Sequence, residues 1–251
     1  MDLKEQGSGS RRHPWEVARV RSVEGILWLF LDEPVHKRLL DIGCGDAFAL
    51  GTIQDDFGFK RADGVDVNLT AEQMSQLSRE RPGVRLHDSY NDLLHYEVML
   101  MLDVVEHIRD DGAFIRDIVD RYLVNDGILL MTVPAFQFLF SAHDTYLGHY
   151  RRYTRHGMMT LAEGGNLEVL AGGYLFSTLL PVRLLACIYE RLFRRGGTPG
   201  KGVGHWKRGD VISGVITRFI LRENAVLIAL SRRNIHIPGL SVWILCKKRP
   251  S

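Results

Sequence analysis

Two stretches of this chain carry residue types whose spacing could do chemistry. The first is Asp41-Ile42-Gly43-Cys44-Gly45-Asp46-Ala47, which follows the apolar pair Leu39-Leu40. Glycines at a turn between a strand and a helix let the backbone approach a ligand closely, and the helix start offers free N–H groups. A dinucleotide fingerprint would continue with a small residue at position 48. Phe48 stands there, which argues against a nicotinamide cofactor. The second stretch runs His143-Asp144-Thr145-Tyr146-Leu147-Gly148-His149-Tyr150-Arg151-Arg152-Tyr153-Thr154. An imidazole titrates near neutrality, so His143 and His149 are candidate general bases, with Asp144 placed to orient one of them. A hydroxyl acceptor would need such a base, whereas an ionised carboxylate would not. Arg151 and Arg152, beside Tyr150, have the donor geometry to hold an anionic group. Between the two stretches lies Asp103-Val104-Val105-Glu106-His107-Ile108, where Glu106 and His107 either orient a substrate or cap the next turn. No His, Asp or Glu set stands at obvious ligand spacing, so no metal is expected.

The elements that must position these residues alternate. Val17, Val20, Val23, Leu27 and Phe30 recur at helical spacing and predict a helix from Pro14 to about Leu31. Strands are expected at 38–42, 61–67, 84–87, 97–104 and 127–133, with helices from about 47, over 71–80 and over 111–123. The apolar run Val98–Leu102 reads as a central strand. Thr154 is a plausible N-cap for a helix ending at Glu163. Such alternation implies a doubly wound, mostly parallel sheet with helices on both faces.

The motifs resemble those of the class I S-adenosylmethionine-dependent methyltransferases. Asp41, Gly43 and Gly45 match the family's first motif, D-x-G-x-G-x-G, with Ala47 in place of the last glycine. Gly64-Val65-Asp66-Val67 is similar to the second, whose terminal acid holds the ribose hydroxyls. His87-Asp88-Ser89 resembles the third, where an acid meets the adenine. Leu102 to Ile108, with its Glu-His pair, is similar to a pattern frequent in small-molecule members. The resemblance covers roughly residues 38–170. It implies S-adenosyl-L-methionine as cofactor, held by Asp41, Gly43, Cys44, Gly45, Asp66, Val67, Asp88, Ser89, Asp103 and Val104. It also implies a seven-stranded Rossmann-like sheet with a reversed final hairpin. Substrate is expected to meet His107, Tyr150, Arg151 and Arg152.

Beyond the core the alternation breaks. Strands are expected at 166–170 and 241–247, separated by two long basic amphipathic helices over 174–195 and 211–233. The resulting division is a leader and helix (1–37), a cofactor-binding core (38–173), a basic helical insert (174–238), and a last strand with its tail (239–251). Residues 1–150 carry 15 Lys and Arg against 25 Asp and Glu, whereas residues 151–251 carry 17 against 5. That asymmetry suits an anionic partner. In 174–195, Phe176, Leu179, Leu180, Leu184, Ile188 and Leu192 form a stripe beside Arg183, Arg191, Arg194 and Arg195, as in a helix lying on a membrane surface. Charges interrupt both helices too often for a transmembrane span. Three scattered cysteines, Cys44, Cys187 and Cys246, and no apolar leader suggest a reducing, cytoplasmic setting, with peripheral contact at the inner membrane surface. Gly7 to Ser10 reads as a flexible leader. No element of the amino-methylating DNA enzymes is present, so nucleic acid is not favoured. The leading expectation is a methyltransferase acting on a small or lipid-linked acceptor, sugar- or phosphate-bearing in one form. The alternative is a non-catalytic module of the same fold that docks through its basic half.

Overall fold

The structure, a computed structural model, describes residues 12–193 and 210–250. The Gly7–Ser10 stretch and Arg194 and Arg195 of the basic insert lie outside the described residues. Helix α1 (Pro14–Phe30) opens with proline at its first position, where the missing N–H costs nothing, and His13 Nδ1 accepts from the Trp15 N–H at 3.1 Å. Strand β1 (Arg38–Ile42) follows, then α2 (Phe48–Phe57), β2 (Arg61–Val65) and α3 (Ala71–Glu80). A capping box between Thr70 and Gln73 starts α3. Strands β3 (Arg85–His87) and β4 (Tyr96–Leu102) lead through a short 3₁₀ turn, Val105–His107, to α4 (Asp111–Tyr122) and β5 (Leu123–Pro134).

The seven strands hydrogen-bond in the order β3-β2-β1-β4-β5-β7-β6. The first five are parallel, and β7 (Ser241–Lys248) runs antiparallel to both β5 and β6 (Leu167–Leu175). The expected doubly wound sheet with a reversed final pair is the one observed. Its apolar strands are explained by burial on both faces. Along β4, Val98 and Leu100 enter one core with Leu39, Ile53 and Trp243, while Met99 and Met101 enter the other with Ile42, Ile115 and Ile244. That is the two-residue side-chain period of a strand packed on two layers.

Three further helices precede the last one. Helix α5 (Ala142–Leu147) has a Ser141–Asp144 capping box. Helix α6 (Arg155–Gly164) is capped by Thr154 as expected, its hydroxyl accepting from the Gly157 N–H at 3.1 Å. Helix α7 (Leu179–Phe193) begins five residues later than the sequence pattern suggests, because β6 continues to Leu175. Gly172 and Gly173 concealed that extension. They lie where a Cβ would come within 2.8 Å of Ile244 Cγ2 and 2.9 Å of Ser231 Cβ respectively, so close packing against β7 and the last helix demands them.

That last helix, α8 (Asp210–Ser231), packs on α1 and β6 and buries Ile220, Leu227 and Ile228. Asn224 pins the junction: Oδ1 accepts from the Phe176 N–H at 3.0 Å, and Nδ2 donates to Ser22 Oγ at 2.9 Å. Among the described residues, no helix is long and apolar enough to cross a membrane.

Candidate active site

The strand order reverses between β1 and β4, and an open α/β sheet forms its crevice at that point. Gly43 and Gly45 leave β1 at φ 69° and 54°, a region costly for any side chain. A Cβ on Gly43 would stand 2.6 Å from Val104 Cγ2, so the loop after β1 crosses the loop after β4 at backbone range. The Gly45 N–H donates to Asp66 Oδ2 at 3.1 Å, and the Asn68 N–H and side-chain amide donate to Asp66 Oδ1. Asp66 therefore braces the glycine loop from just beyond the end of β2. Burial pushes the Asp41 carboxyl up to about 7. Asp103, at φ 57°, holds a conformation costing on the order of 1–3 kcal/mol, of the kind found at ligand clamps. Thr132 Oγ1 donates to its Oδ1 at 3.1 Å.

Helix α1 supplies one wall. Arg19 is buried, ion-paired with Asp103, and its guanidinium lies 4.9 Å from the Trp15 ring. Burial lowers its pKa, against the field of Glu16 and Glu106. Its Nε has no hydrogen-bond partner among the described residues.

The opposite wall is polar. The Tyr150 N–H donates to the Glu106 carbonyl at 2.8 Å, which seats the His149 loop on the Val105–His107 turn. The His107 and His149 rings then meet edge to face, centroids 4.6 Å apart. Asp144 is wholly buried. It lies 3.0 Å from His149 Nδ1 and receives a two-pronged contact from Arg152, Nε at 2.7 Å and a terminal nitrogen at 3.0 Å. Burial alone would raise its pKa, but these hydrogen bonds and the Arg152 charge hold it well below the usual carboxylate range. Glu106 is as deeply buried but has no hydrogen-bond partner among the described residues on either carboxylate oxygen, and burial pushes it up to about 8.

Both walls line one cleft of about 890 Å³. Of the residues expected from sequence, Gly43, Asp66, Val67, Asp103, Val104, His107, His143, Asp144, His149 and Arg152 line it. Asp41 and Cys44 line a small adjoining cavity with Arg19. Asp88 is exposed and Ser89 half-buried past β3, neither lining the cleft; Tyr90 faces it instead. Tyr150 is exposed. Arg151 donates to Asp111 and to the Arg109 carbonyl, so its fork is already occupied. Arg152 reaches the cleft but is committed to Asp144, which makes it an anchor for the acid rather than an open anion site.

Sequence reasoning missed the contribution of α1. Its signal was present: Glu16 and Arg19 fall on the same helical stripe as Val20 and Val23, and charges on an apolar stripe must be buried with partners. Leu179 and Arg183 of α7, read from sequence as part of an amphipathic stripe, also line the cleft.

Residues 15–172 match the sequence profile of a methyltransferase domain. The chain belongs to that family. It is a class I S-adenosylmethionine-dependent methyltransferase. No curated protein matches it in sequence. Geranyl diphosphate methyltransferase, solved with GPP and sinefungin, is similar with a TM-score of 0.59 at 13% identity, over 93% of this chain and 79% of that one. Coclaurine N-methyltransferase bound to N-methylheliamine and SAH gives 0.56 at 14% identity, over 97% and 79%. The cyclase SpnF gives 0.56 at 15%, over 98% and 86%. These structures share the fold of this methyltransferase, and at such identities they speak to the fold alone.

The residues present fit the cofactor of the methyltransferase. The Gly43 cradle, which a Cβ would fill, and Asp66 at the strand end stand at one end of a cleft large enough for cofactor and acceptor together.

Proposed function

We propose that this methyltransferase transfers a methyl group to a small or lipid-linked acceptor seated against the His107, His143 and His149 wall. The observation that carries this reading is the continuity of the cleft, which joins the glycine loop and Asp66 to that wall. Bound S-adenosylmethionine supplies a methyl group already electrophilic on its sulfonium, and the electron pair of the broken carbon–sulfur bond stays on sulfur. Asp66 would accept hydrogen bonds from the ribose hydroxyls, and the absent side chain at Gly43, beside Val104, would let the backbone approach the cofactor. Arg19, ion-paired with Asp103, would fix that acid at the edge of the cofactor site. His143 or His149 takes the proton that a hydroxyl acceptor releases as it bonds to carbon; Asp144 holds the His149 tautomer. Both walls exclude water and fix the approach direction.

Calorimetric titration with S-adenosylmethionine, S-adenosylhomocysteine and NADH tests the site. Adenosyl ligands should bind and NADH should not. Asp66→Ala should weaken adenosyl binding by about ten- to a hundredfold, the loss of charge-assisted hydrogen bonds. A folded protein that binds neither adenosyl ligand would overturn the reading.

The lipid-linked form of the acceptor is favoured by α7. Val182, Leu185, Tyr189 and Leu192 lie at helical spacing and are 63%, 68%, 58% and 66% exposed, so the outward face of this helix is its apolar one. Its first turns, through Leu179 and Arg183, border the cleft. An acceptor with its tail in a bilayer could thus reach the site along α7, and an acceptor screen should include polyprenyl-linked sugars. Docking without turnover is the second reading, favoured by the same face. It predicts vesicle binding with no methylation of any acceptor.

A further inference from the structure

Glu106, His107 and His149 each offer one ligand atom, and these atoms all lie within 4.8 Å of one another at the acceptor wall. A carboxylate and two imidazoles are a donor set for a divalent transition ion such as zinc, with coordination positions left open toward the cleft. We propose that the three residues bind one such ion. This deepens the methyltransferase reading and rests on it for the ion's catalytic role, though not for its binding.

Three features of the wall support the assignment. Glu106 is fully buried with both oxygens unpartnered, an arrangement that costs free energy unless a proton or a cation is supplied. The two guanidinium groups whose fields reach it are already engaged, Arg19 with Asp103 and Arg152 with Asp144. Asp144 holds His149 through Nδ1, which leaves Nε2 as the nitrogen for an ion, and Arg152 holds Asp144 in turn. A carboxylate behind a ligating histidine is the outer-shell arrangement that fixes ring orientation and raises ligand basicity. Individual spacing could not reveal the set. Glu106 and His107 are neighbours in a 3₁₀ turn, and His149 arrives through the backbone bond from Tyr150 to Glu106.

An ion here favours the ionised form of a hydroxyl acceptor reaching it. His149 is then a ligand and not a base, and His143, which lines the same cleft outside the triad, takes the acceptor's proton.

The test is titration of the chelator-treated full chain with Zn²⁺ by calorimetry and with Co²⁺ by visible absorption. One ion per chain is expected, with cobalt bands of a nitrogen- and oxygen-ligated site. Glu106→Gln and His107→Gln should each weaken binding about tenfold or more, and Asp144→Asn should weaken it through His149. His143→Gln should leave it unchanged. Circular dichroism and melting confirm that each variant is folded. Absence of binding by folded wild type would overturn the proposal, as would binding that survives both ligand substitutions, which would place the ion on other histidines. S-adenosylhomocysteine titration of the same samples separates this outcome from failure of the methyltransferase reading. Cofactor binding without metal sinks only the triad, and metal binding without cofactor sinks only the cofactor site.

Discussion

At the residue scale, the two acids of the acceptor wall are buried alike and behave oppositely, because only one has donors around it. Burial raises Glu106 from an ordinary 4.5 to about 8. The folded state therefore holds a proton that the unfolded chain has lost between those values, and stability falls as pH rises across that window. In chelator, Glu106→Gln should melt above wild type at pH 8 by at least about 2–4 °C, the equivalent of roughly 1 kcal/mol, and level with wild type near pH 4. A gain that is the same at both pH values would show that the cost is steric and not ionic. Asp144 works the other way. Its depressed pKa contributes stability present above the unfolded value near 4, lost as pH falls through the folded one. Asp144→Asn leaves Arg152 buried without its partner and should cost about 3–5 kcal/mol in urea unfolding, with loss of activity in whatever fraction stays folded.

At the element scale, α1 does more than cover the sheet. Its apolar face packs on β1 and α2 while Arg19 reaches the cleft, and α8 holds the helix in place through Asn224. Asn224→Ala strands the buried Phe176 N–H and should destabilise the fold by about 1–3 kcal/mol. Affinity of the folded fraction for S-adenosylhomocysteine should stay near wild type, because Asn224 does not line the cleft. A large affinity loss at unchanged stability would mean that α8 positions Arg19 directly. Gly43→Ala should act on binding as well as on stability. It forces a side chain into the left-handed region and against Val104, so cofactor binding should fall steeply.

At the scale of the whole molecule, the first half of the chain is acidic and the second half basic. The acidic half carries the glycine loop and Asp66, and the basic half carries α7 and its outward apolar face. Anionic vesicles should retain the protein at low salt and release it as salt rises, since Debye screening removes the headgroup attraction. Leu185→Glu should weaken that retention, by cosedimentation, without altering the melt, because Leu185 is exposed. Retention unaffected by the substitution would move the contact away from α7.

Much of this was legible before any tertiary contact was known. The five parallel strands, the switch-point glycines and the acid after β2 are local features. Apolar runs, a strand-to-helix turn and a strand-end carboxylate are each encoded within a few neighbouring residues. The extent of β6 was not legible, because Gly172 and Gly173 serve packing partners, Ile244 and Ser231, far along the chain. The commitments of Arg151 and Arg152 were equally hidden, since a guanidinium looks the same in sequence whether it is free or bound to Asp111 or Asp144. Only the tertiary structure brought Arg19 to Asp103 and His149 to Glu106 and His107. Those pairings depend on long-range packing, and no local spacing records which charges end up buried together.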